Sequence, residues 1–168
     1  LIEESFHAIE AFISNYFDIH ALFIDDRSED GTFQKLKDLA FNSSNQQRIT
    51  VIKNTEHIGK GGTIRWGVDL IETDITCFTD ADLAYEPENI VYFREQLNKN
   101  QFLIANRVDH RSMYFVQPGI LKFIVTRHFA SRIFNWLVRR ILSLPLYDVQ
   151  AGLKMAHTTD FKNCCRFI

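Results

Sequence analysis

The fold is decided at residues 77–87, which read CFTDADLAYEP. An apolar, β-branched run over residues 75–79 ends in two carboxylates, Asp80 and Asp82. Pro87 then marks the first turn of a helix that the pattern predicts as far as Lys99. The two aspartates therefore follow a buried strand at its carboxyl end, which is where ligands bind in an open α/β sheet.

The spacing of Asp80 and Asp82 indicates a cation site. Alternate residues of an extended segment point the same way, and two carboxylates that face one point repel each other unless a cation lies between them. A hard divalent cation with oxygen ligands fits this pair and keeps open positions for a diphosphate. Two solvated aspartates in a turn would produce the same short pattern, so the pair alone does not decide between these interpretations.

Length and composition restrict the class of protein. The chain has 168 residues, of which 46% are hydrophobic, with 7 glycines and 3 prolines. These values predict one globular domain over residues 1–168 and exclude disordered and fibrous classes. A net charge of -2 indicates no general attraction to nucleic acid. The three cysteines lack metal-ligand spacing and are interpreted as reduced thiols of a cytosol-facing domain.

The sequence contains no targeting or membrane-spanning signal. No uncharged apolar run is long enough to cross a bilayer, and no basic segment precedes a cleavage site. The first residues already follow a helical pattern, and the last residues carry no helix stop signal. We therefore expect a domain that is truncated at both ends.

Strand and helix patterns alternate four times along the chain. A helical apolar stripe covers residues 1–16. Strands are predicted at 19–24, 49–52, 75–79 and 101–105, and further helices near 33–41, 64–71 and 87–99. Such alternation predicts a mostly parallel sheet with right-handed crossovers and helices on both faces.

The first predicted strand also runs into an acidic loop. Asp25 and Asp26 follow it directly, and carboxylates at this place can accept hydrogen bonds from a ribose or a base. A capping loop is the alternative interpretation for Glu29 and Asp30, because Asp30 or Thr32 is suited to cap the next helix.

A glycine-rich loop over residues 54–63 follows the second predicted strand and precedes a helix predicted from Ile64. Glycines let the backbone approach a phosphate, and the amino end of a helix adds a favourable partial charge. Lys60 adds a point charge. The spacing is not that of a P-loop.

The second half of the chain is basic. Arginines and one lysine are interleaved with apolar and aromatic residues from Arg107 to Leu144. A basic, aromatic helix over about residues 120–144 suits a membrane surface with anionic headgroups. A core helix whose arginines extend to solvent fits the same pattern, and both interpretations stay open.

Four segments in this order resemble the family-2 inverting glycosyltransferases with the GT-A fold. They are residues 25–32, 59–62, 79–83 and 148–154, and the resemblance covers about residues 1–155. It is nearest to the branch of dolichyl- or polyprenyl-phosphate sugar synthases of the mannosyl- and glucosyl-phosphate types. The resemblance implies an α/β, GT-A type Rossmann-like sandwich, of which the family's first strand is missing here.

The resemblance also implies roles for donor-binding residues. Asp25 and Asp26 would contact the nucleoside of a UDP- or GDP-sugar, with Lys60 and Gly61 near the donor. Asp80 and Asp82 match the Asp-x-Asp motif that carries the donor diphosphate with Mg²⁺ or Mn²⁺. Ala84 stands where some relatives have a polar side chain that contacts the metal.

The implied acceptor residues lie in the second half of the chain. Arg107 matches the arginine that follows the fourth strand, and Arg127 with Ser131 matches a phosphate-binding pair. Asp148 and Gln150 match a motif beside the acceptor site.

The implied activity is metal-assisted, inverting transfer of a hexose from UDP-glucose or GDP-mannose to polyprenyl or dolichyl phosphate. It would take place at the cytoplasmic face of the plasma membrane or the endoplasmic reticulum, without nucleic acid as a partner. Three alternatives are a family-2 transferase acting on a carbohydrate hydroxyl, a non-catalytic membrane-surface fragment, and a haloacid-type phosphatase. The phosphatase motif usually has threonine where Ala84 stands.

Overall fold

A computed structural model describes residues 1–99, 101–106 and 150–166, together with Phe134, Trp136, Val138, Arg140, Ile141 and Asp148. The chain forms two compact units. The first comprises Leu1–Leu103 and Leu153–Ile168, and the second comprises Ile104–Gly152. The prediction of a single domain over residues 1–168 stays a prediction.

Helices and strands alternate through the first unit as the sequence predicts. The helices are α1 (Ile2–Asn15), α2 (Thr32–Asn42), α3 (Gly59–Asp69), α4 (Glu88–Gln96) and α5 (Thr158–Cys165). The strands are β1 (Ala21–Asp25), β2 (Ile49–Lys53), β3 (Ile75–Phe78), β4 (Phe102–Ile104) and β5 (Lys154–His157). A short 3-10 helix, Gln46–Arg48, leads into β2.

The apolar stripe of α1 forms the centre of the first hydrophobic cluster. Phe6, Ile9 and Ile13 recur at helical spacing and are buried with Leu36 of α2 and Ile49 of β2. The ring of Phe6 stacks on Phe23 of β1 with centroids 5.4 Å apart. This packing holds α1 and α2 against the β1–β2 pair.

The described strands form two sheets of different sense. β1 and β2 pair in parallel, from Ala21 opposite Ile49 to Asp25 opposite Lys53. The other sheet has the order β3-β5-β4, and β3 pairs with β5 antiparallel. The parallel pair and the covering helices agree with the predicted α/β class. The antiparallel pairing of β3 was not predicted, because β5 comes from a distant part of the chain.

A second hydrophobic cluster joins α3, β5 and α5. Val68, Ala156, Phe161 and Cys165 are buried together. The three cysteines are free thiols, as their spacing predicts. Burial raises the pKa of the Cys77 thiol to about 12. The cluster holds the carboxyl half of α3 against β5 and α5.

The predicted start of α3 is wrong. The helix predicted from Ile64 begins at Gly59, so the glycines of residues 59–62 form its first turn instead of a preceding loop. Gly59 has φ +73°, a conformation that costs other residues about 1–2 kcal/mol. Gly67 of the same helix packs so closely on Ile24 of β1 that a Cβ there would clash with the isoleucine side chain.

The second unit is described at fewer positions. Phe134, Trp136, Val138, Arg140 and Ile141 are helical. Trp136 is 63% exposed and Ile141 is 73% exposed. Among the described residues, the helices are too short or too polar to cross a bilayer.

Candidate active site

The loop that follows β3 carries the two aspartates of the central motif. Asp82 is exposed, and its Oδ1 accepts a hydrogen bond from the Ala84 backbone N–H at 3.3 Å. Leu83 has φ +45°, which is uncommon for a residue with a side chain, while its side chain packs against the first hydrophobic cluster. The loop therefore leaves the strand in a strained turn that presents Asp82 to solvent.

Asp80 is paired with a lysine from another element. Lys60 Nζ, on the second residue of α3, lies 2.5 Å from Asp80 Oδ1. The same ammonium lies 5.4 Å from the centre of the Phe78 ring, at the end of β3. The Asp80 side chain is 32% exposed and that of Lys60 is 63% exposed. This ion pair joins the glycine-rich helix start to the end of β3.

Asp26 makes a corresponding connection from the end of β1. Its Oδ1 accepts hydrogen bonds from Asn54 Nδ2 at 2.6 Å and from the Ile58 N–H at 3.0 Å. His57 Nδ1 lies 3.0 Å from Asp26 Oδ2. The Ile58 N–H, followed by the Asn54 amide, holds the pKa of Asp26 below its usual range. Asp26 thus ties the end of β1 to the residue that precedes α3.

Asp25 is in a different environment from Asp26. Its side chain is 1% exposed. Oδ2 accepts a hydrogen bond from the Ser28 N–H at 3.0 Å and lies 3.8 Å from Lys53 Nζ. The carboxylate therefore supports the turn after β1, and Asp26 is the more accessible of the two predicted nucleoside contacts.

Asn54, His57 and Thr63 belong to this network and were missed by the sequence analysis. Asn54 is 5% exposed, and its Nδ2 also donates to Thr63 Oγ1 at 2.8 Å. In the described part of the chain, Asn54 Oδ1 is a buried acceptor without a hydrogen-bond donor. A signal was present, because Asn54 is the first residue after β2, in the same place that Asp26 occupies after β1.

The predicted acceptor residues are only partly described. Asp148 is buried, and its Oδ1 accepts a hydrogen bond from the Gln150 N–H at 3.0 Å within the second unit. Arg107, Arg127 and Ser131 lie outside the described residues, so their assignment stays a prediction.

The carboxylate oxygens of Asp80 and Asp82, after β3, are compatible with a divalent cation. Among the described residues, no cluster of three or more His, Cys, Asp or Glu side chains is arranged to hold a metal. Asp80 and Asp82 nevertheless provide carboxylate oxygens, the ligands that Mg²⁺ prefers, and Asp80 already attracts a cationic side chain. Mg²⁺ usually takes one or two protein carboxylates and completes its shell with phosphate and water.

The geometry brings Asp26, Lys60 and Asp80 together around the start of α3, inside the first unit. This arrangement presents carboxylates, an ammonium and the amino end of a helix at the carboxyl ends of β1 and β3. Such a set suits a ligand that carries both phosphates and hydrogen-bonding groups.

Comparison with known proteins identifies the family. No curated protein gives a significant match to the chain. The family model described as glycosyl transferase family 2 matches residues 1–162, which covers both acidic loops, α3 and the segment with Asp148 and Gln150. The chain therefore belongs to glycosyl transferase family 2.

Proposed function

We propose that this glycosyltransferase moves a hexose, with inversion, from UDP-glucose or GDP-mannose to polyprenyl or dolichyl phosphate. The transferase class follows from the family. The observation that best supports a nucleotide-diphosphate donor is the meeting of the two acidic loops at the start of α3, through the Asp26–Ile58 and Lys60–Asp80 contacts.

The nucleoside would bind at the end of β1. Asp26 presents a carboxylate beside His57 and Asn54, and a carboxylate accepts hydrogen bonds from ribose hydroxyls or base N–H groups. Asp25 would hold the turn that positions Asp26, since it is buried and bonded to Ser28. In this proposal Asp26 contacts the nucleoside, and Asp25 contributes only by holding the turn that positions Asp26.

The diphosphate would lie between α3 and the loop after β3. Lys60 and the backbone around Gly61 would face the phosphates, where the helix end adds favourable partial charge. Asp80 and Asp82 would hold Mg²⁺ or Mn²⁺. The bound cation supplies charge neutralisation of the departing diphosphate. Because the nucleotide leaves as an anion, this neutralisation is what the reaction most requires from the protein.

The basic second half of the chain favours a lipid phosphate over a carbohydrate hydroxyl as the acceptor. A phosphate monoester is already ionised at neutral pH, so its attack on the anomeric carbon requires no strong general base. Arg107, Arg127 and Ser131 would neutralise and orient it, with Asp148 and Gln150 nearby. A carbohydrate hydroxyl would instead require a carboxylate or histidine base within hydrogen-bond reach.

The exposed aromatic positions of the second unit support contact with a membrane surface. Trp136 is an exposed aromatic residue and Arg140 is an exposed cation, and both are helical. Tryptophan is favoured at the level of lipid headgroups, and arginine is attracted to anionic lipids. We therefore propose that the enzyme binds a membrane surface, and that this surface is the cytoplasmic face of the plasma membrane or endoplasmic reticulum, as the family resemblance implies.

The test is sugar transfer by the full-length protein in membranes. UDP-glucose and GDP-mannose are each offered with dolichyl phosphate, undecaprenyl phosphate or a free oligosaccharide. We expect product only with a lipid phosphate. Transfer to the oligosaccharide alone would support the hydroxyl-acceptor alternative, and absence of donor binding would support a non-catalytic fragment.

The acceptor assignment is tested with Arg127→Ala. Loss of a charge-assisted contact to the anionic nucleophile should cost about 1.5–3 kcal/mol, or roughly ten- to a hundredfold in kcat/KM for the lipid phosphate. Calorimetric affinity for UDP or GDP should stay near that of the wild type. The exposed Arg166 provides a control in Arg166→Ala. Tenfold weaker nucleotide binding by Arg127→Ala with unchanged acceptor dependence would show that this arginine serves the donor.

A further inference from the structure

The Lys60–Asp80 ion pair places a cation of the protein itself on an aspartate of the central motif. Lys60 Nζ lies 2.5 Å from Asp80 Oδ1 and 5.4 Å from the centre of the Phe78 ring. The ammonium thus has two favourable contacts, one ionic and one with an aromatic face. Both come from residues at the end of β3, so Lys60 holds the start of α3 to that strand.

In the ligand-free protein, the Lys60 ammonium balances the negative charge of the Asp80 carboxylate. An ammonium and a divalent cation at the same carboxylate oxygen repel each other and compete for the oxygen. Lys60 is 63% exposed and Asp80 32% exposed, so the pair is solvated and weak enough to be exchanged. The nearby exposed Asp82 carboxylate alone offers a divalent cation little affinity.

We infer that Lys60 is an internal counter-ion that keeps free divalent cations from Asp80 until a nucleotide diphosphate arrives. This inference rests on the proposed donor site. A diphosphate between α3 and the loop after β3 would give the ammonium a new anionic partner. Lys60 would then move from Asp80 to a phosphate oxygen, and Asp80 would become available to the metal. Metal and nucleotide would therefore each raise the affinity for the other.

Lys60 on this account affects metal binding only while the nucleotide is absent. Without nucleotide it weakens metal binding, because it occupies Asp80. With nucleotide its charge is on the diphosphate, where it strengthens nucleotide binding and no longer competes with the metal. A residue that merely stabilises the fold would not make its effect on metal binding depend on the nucleotide.

The experiment measures Mn²⁺ binding to the full chain by electron paramagnetic resonance, first alone and then with saturating UDP or GDP. Lys60→Met should bind Mn²⁺ alone roughly tenfold more tightly than the wild type, within the usual range of coupling between two sites. The enhancement of Mn²⁺ affinity by nucleotide should fall by a similar factor in this variant.

Two controls separate charge from structure. Lys60→Arg keeps the cation and should behave like the wild type. Lys35, on α2, forms an ion pair of similar exposure with Glu3 of α1, with Nζ and Oε1 2.7 Å apart. Lys35→Met should therefore leave both measurements unchanged. Circular dichroism confirms that each variant is folded.

The inference is overturned if Lys60→Met binds Mn²⁺ alone within twofold of the wild type, or if neither protein binds it. It is also overturned if nucleotide enhances Mn²⁺ affinity equally in both. These results are independent of sugar transfer. If no lipid phosphate is glycosylated but the Mn²⁺ effects are as expected, the acceptor proposal fails and the role of Lys60 stands.

Discussion

Arg48 is expected to stabilise the fold around the candidate site more than any exposed arginine. Its Nη1 donates hydrogen bonds to the carbonyl oxygens of Ile13 at 2.7 Å and Tyr16 at 2.8 Å, at the carboxyl end of α1. Its Nη2 contacts Asn45 Oδ1. The guanidinium thus fixes the turn between α1 and β1, the strand that ends at Asp25.

The magnitude follows from these contacts. Two hydrogen bonds to a charged donor contribute about 1.5–3 kcal/mol each when fully formed. Arg48 is only half-buried, and both carbonyls also accept a backbone N–H, from Tyr16 and Ile19 respectively. The replaced carbonyls therefore stay partly satisfied, which reduces the expected cost of Arg48→Met to about 2–3 kcal/mol.

The assay is urea unfolding followed by circular dichroism, with thermal unfolding beside it. For a chain of this size, about 2–3 kcal/mol corresponds to a fall in Tm of roughly 4–12 °C. Arg65→Met is the matched control, since Arg65 is exposed on α3. Arg48→Lys should fall between the two, because an ammonium does not reproduce the planar fork. If Arg48→Met and Arg65→Met differ by less than about 0.5 kcal/mol, which is the scale of ordinary surface changes, the reasoning is refuted.

Three other predictions concern the site and the membrane surface. Asp82→Asn should lose most transferase activity with an unchanged free energy of unfolding. The control Asp69→Asn, at the far end of α3, should keep its activity. Full activity of Asp82→Asn, or of the wild type in excess EDTA, would contradict the metal role. The pKa of Asp26 is lowered on folding, so its stabilising contribution is present above the unfolded pKa and lost as the pH falls through the folded value. Below about pH 4, the free energy of unfolding should therefore fall less steeply with pH in Asp26→Asn than in the wild type. Urea unfolding at several pH values measures this, and an equal dependence on pH in the two proteins would refute it. Arg140→Glu should weaken co-sedimentation with anionic vesicles at low salt but not at high salt, and equal sedimentation of variant and wild type would exclude that surface.

Local sequence patterns predicted most elements of the first unit. The apolar spacing of Phe6, Ile9 and Ile13 predicted α1, since a helix needs one continuous apolar face to pack on the core. Short apolar runs predicted β1, β2 and β3 within a few residues. The position of Asp80 and Asp82 after β3 also followed from sequence, because burial ends where the charged residues begin.

The tertiary structure alone decided the partners of the polar residues. Nothing in residues 59–62 shows that a helix begins at Gly59, since glycine disfavours helix and the hydrogen bond that Ile58 N–H donates just before the helix goes to Asp26, in a distant part of the chain. Asp25 and Asp26 are adjacent and chemically identical, yet Asp25 is the buried last residue of β1, whereas Asp26 is the first residue of the next loop and bonds to Asn54 and Ile58 in the loop after β2. The Lys60–Asp80 pair and the antiparallel contact of β3 with β5 join residues far apart in the chain. Such contacts depend on how the helices and strands pack, and no local pattern of residues specifies that packing.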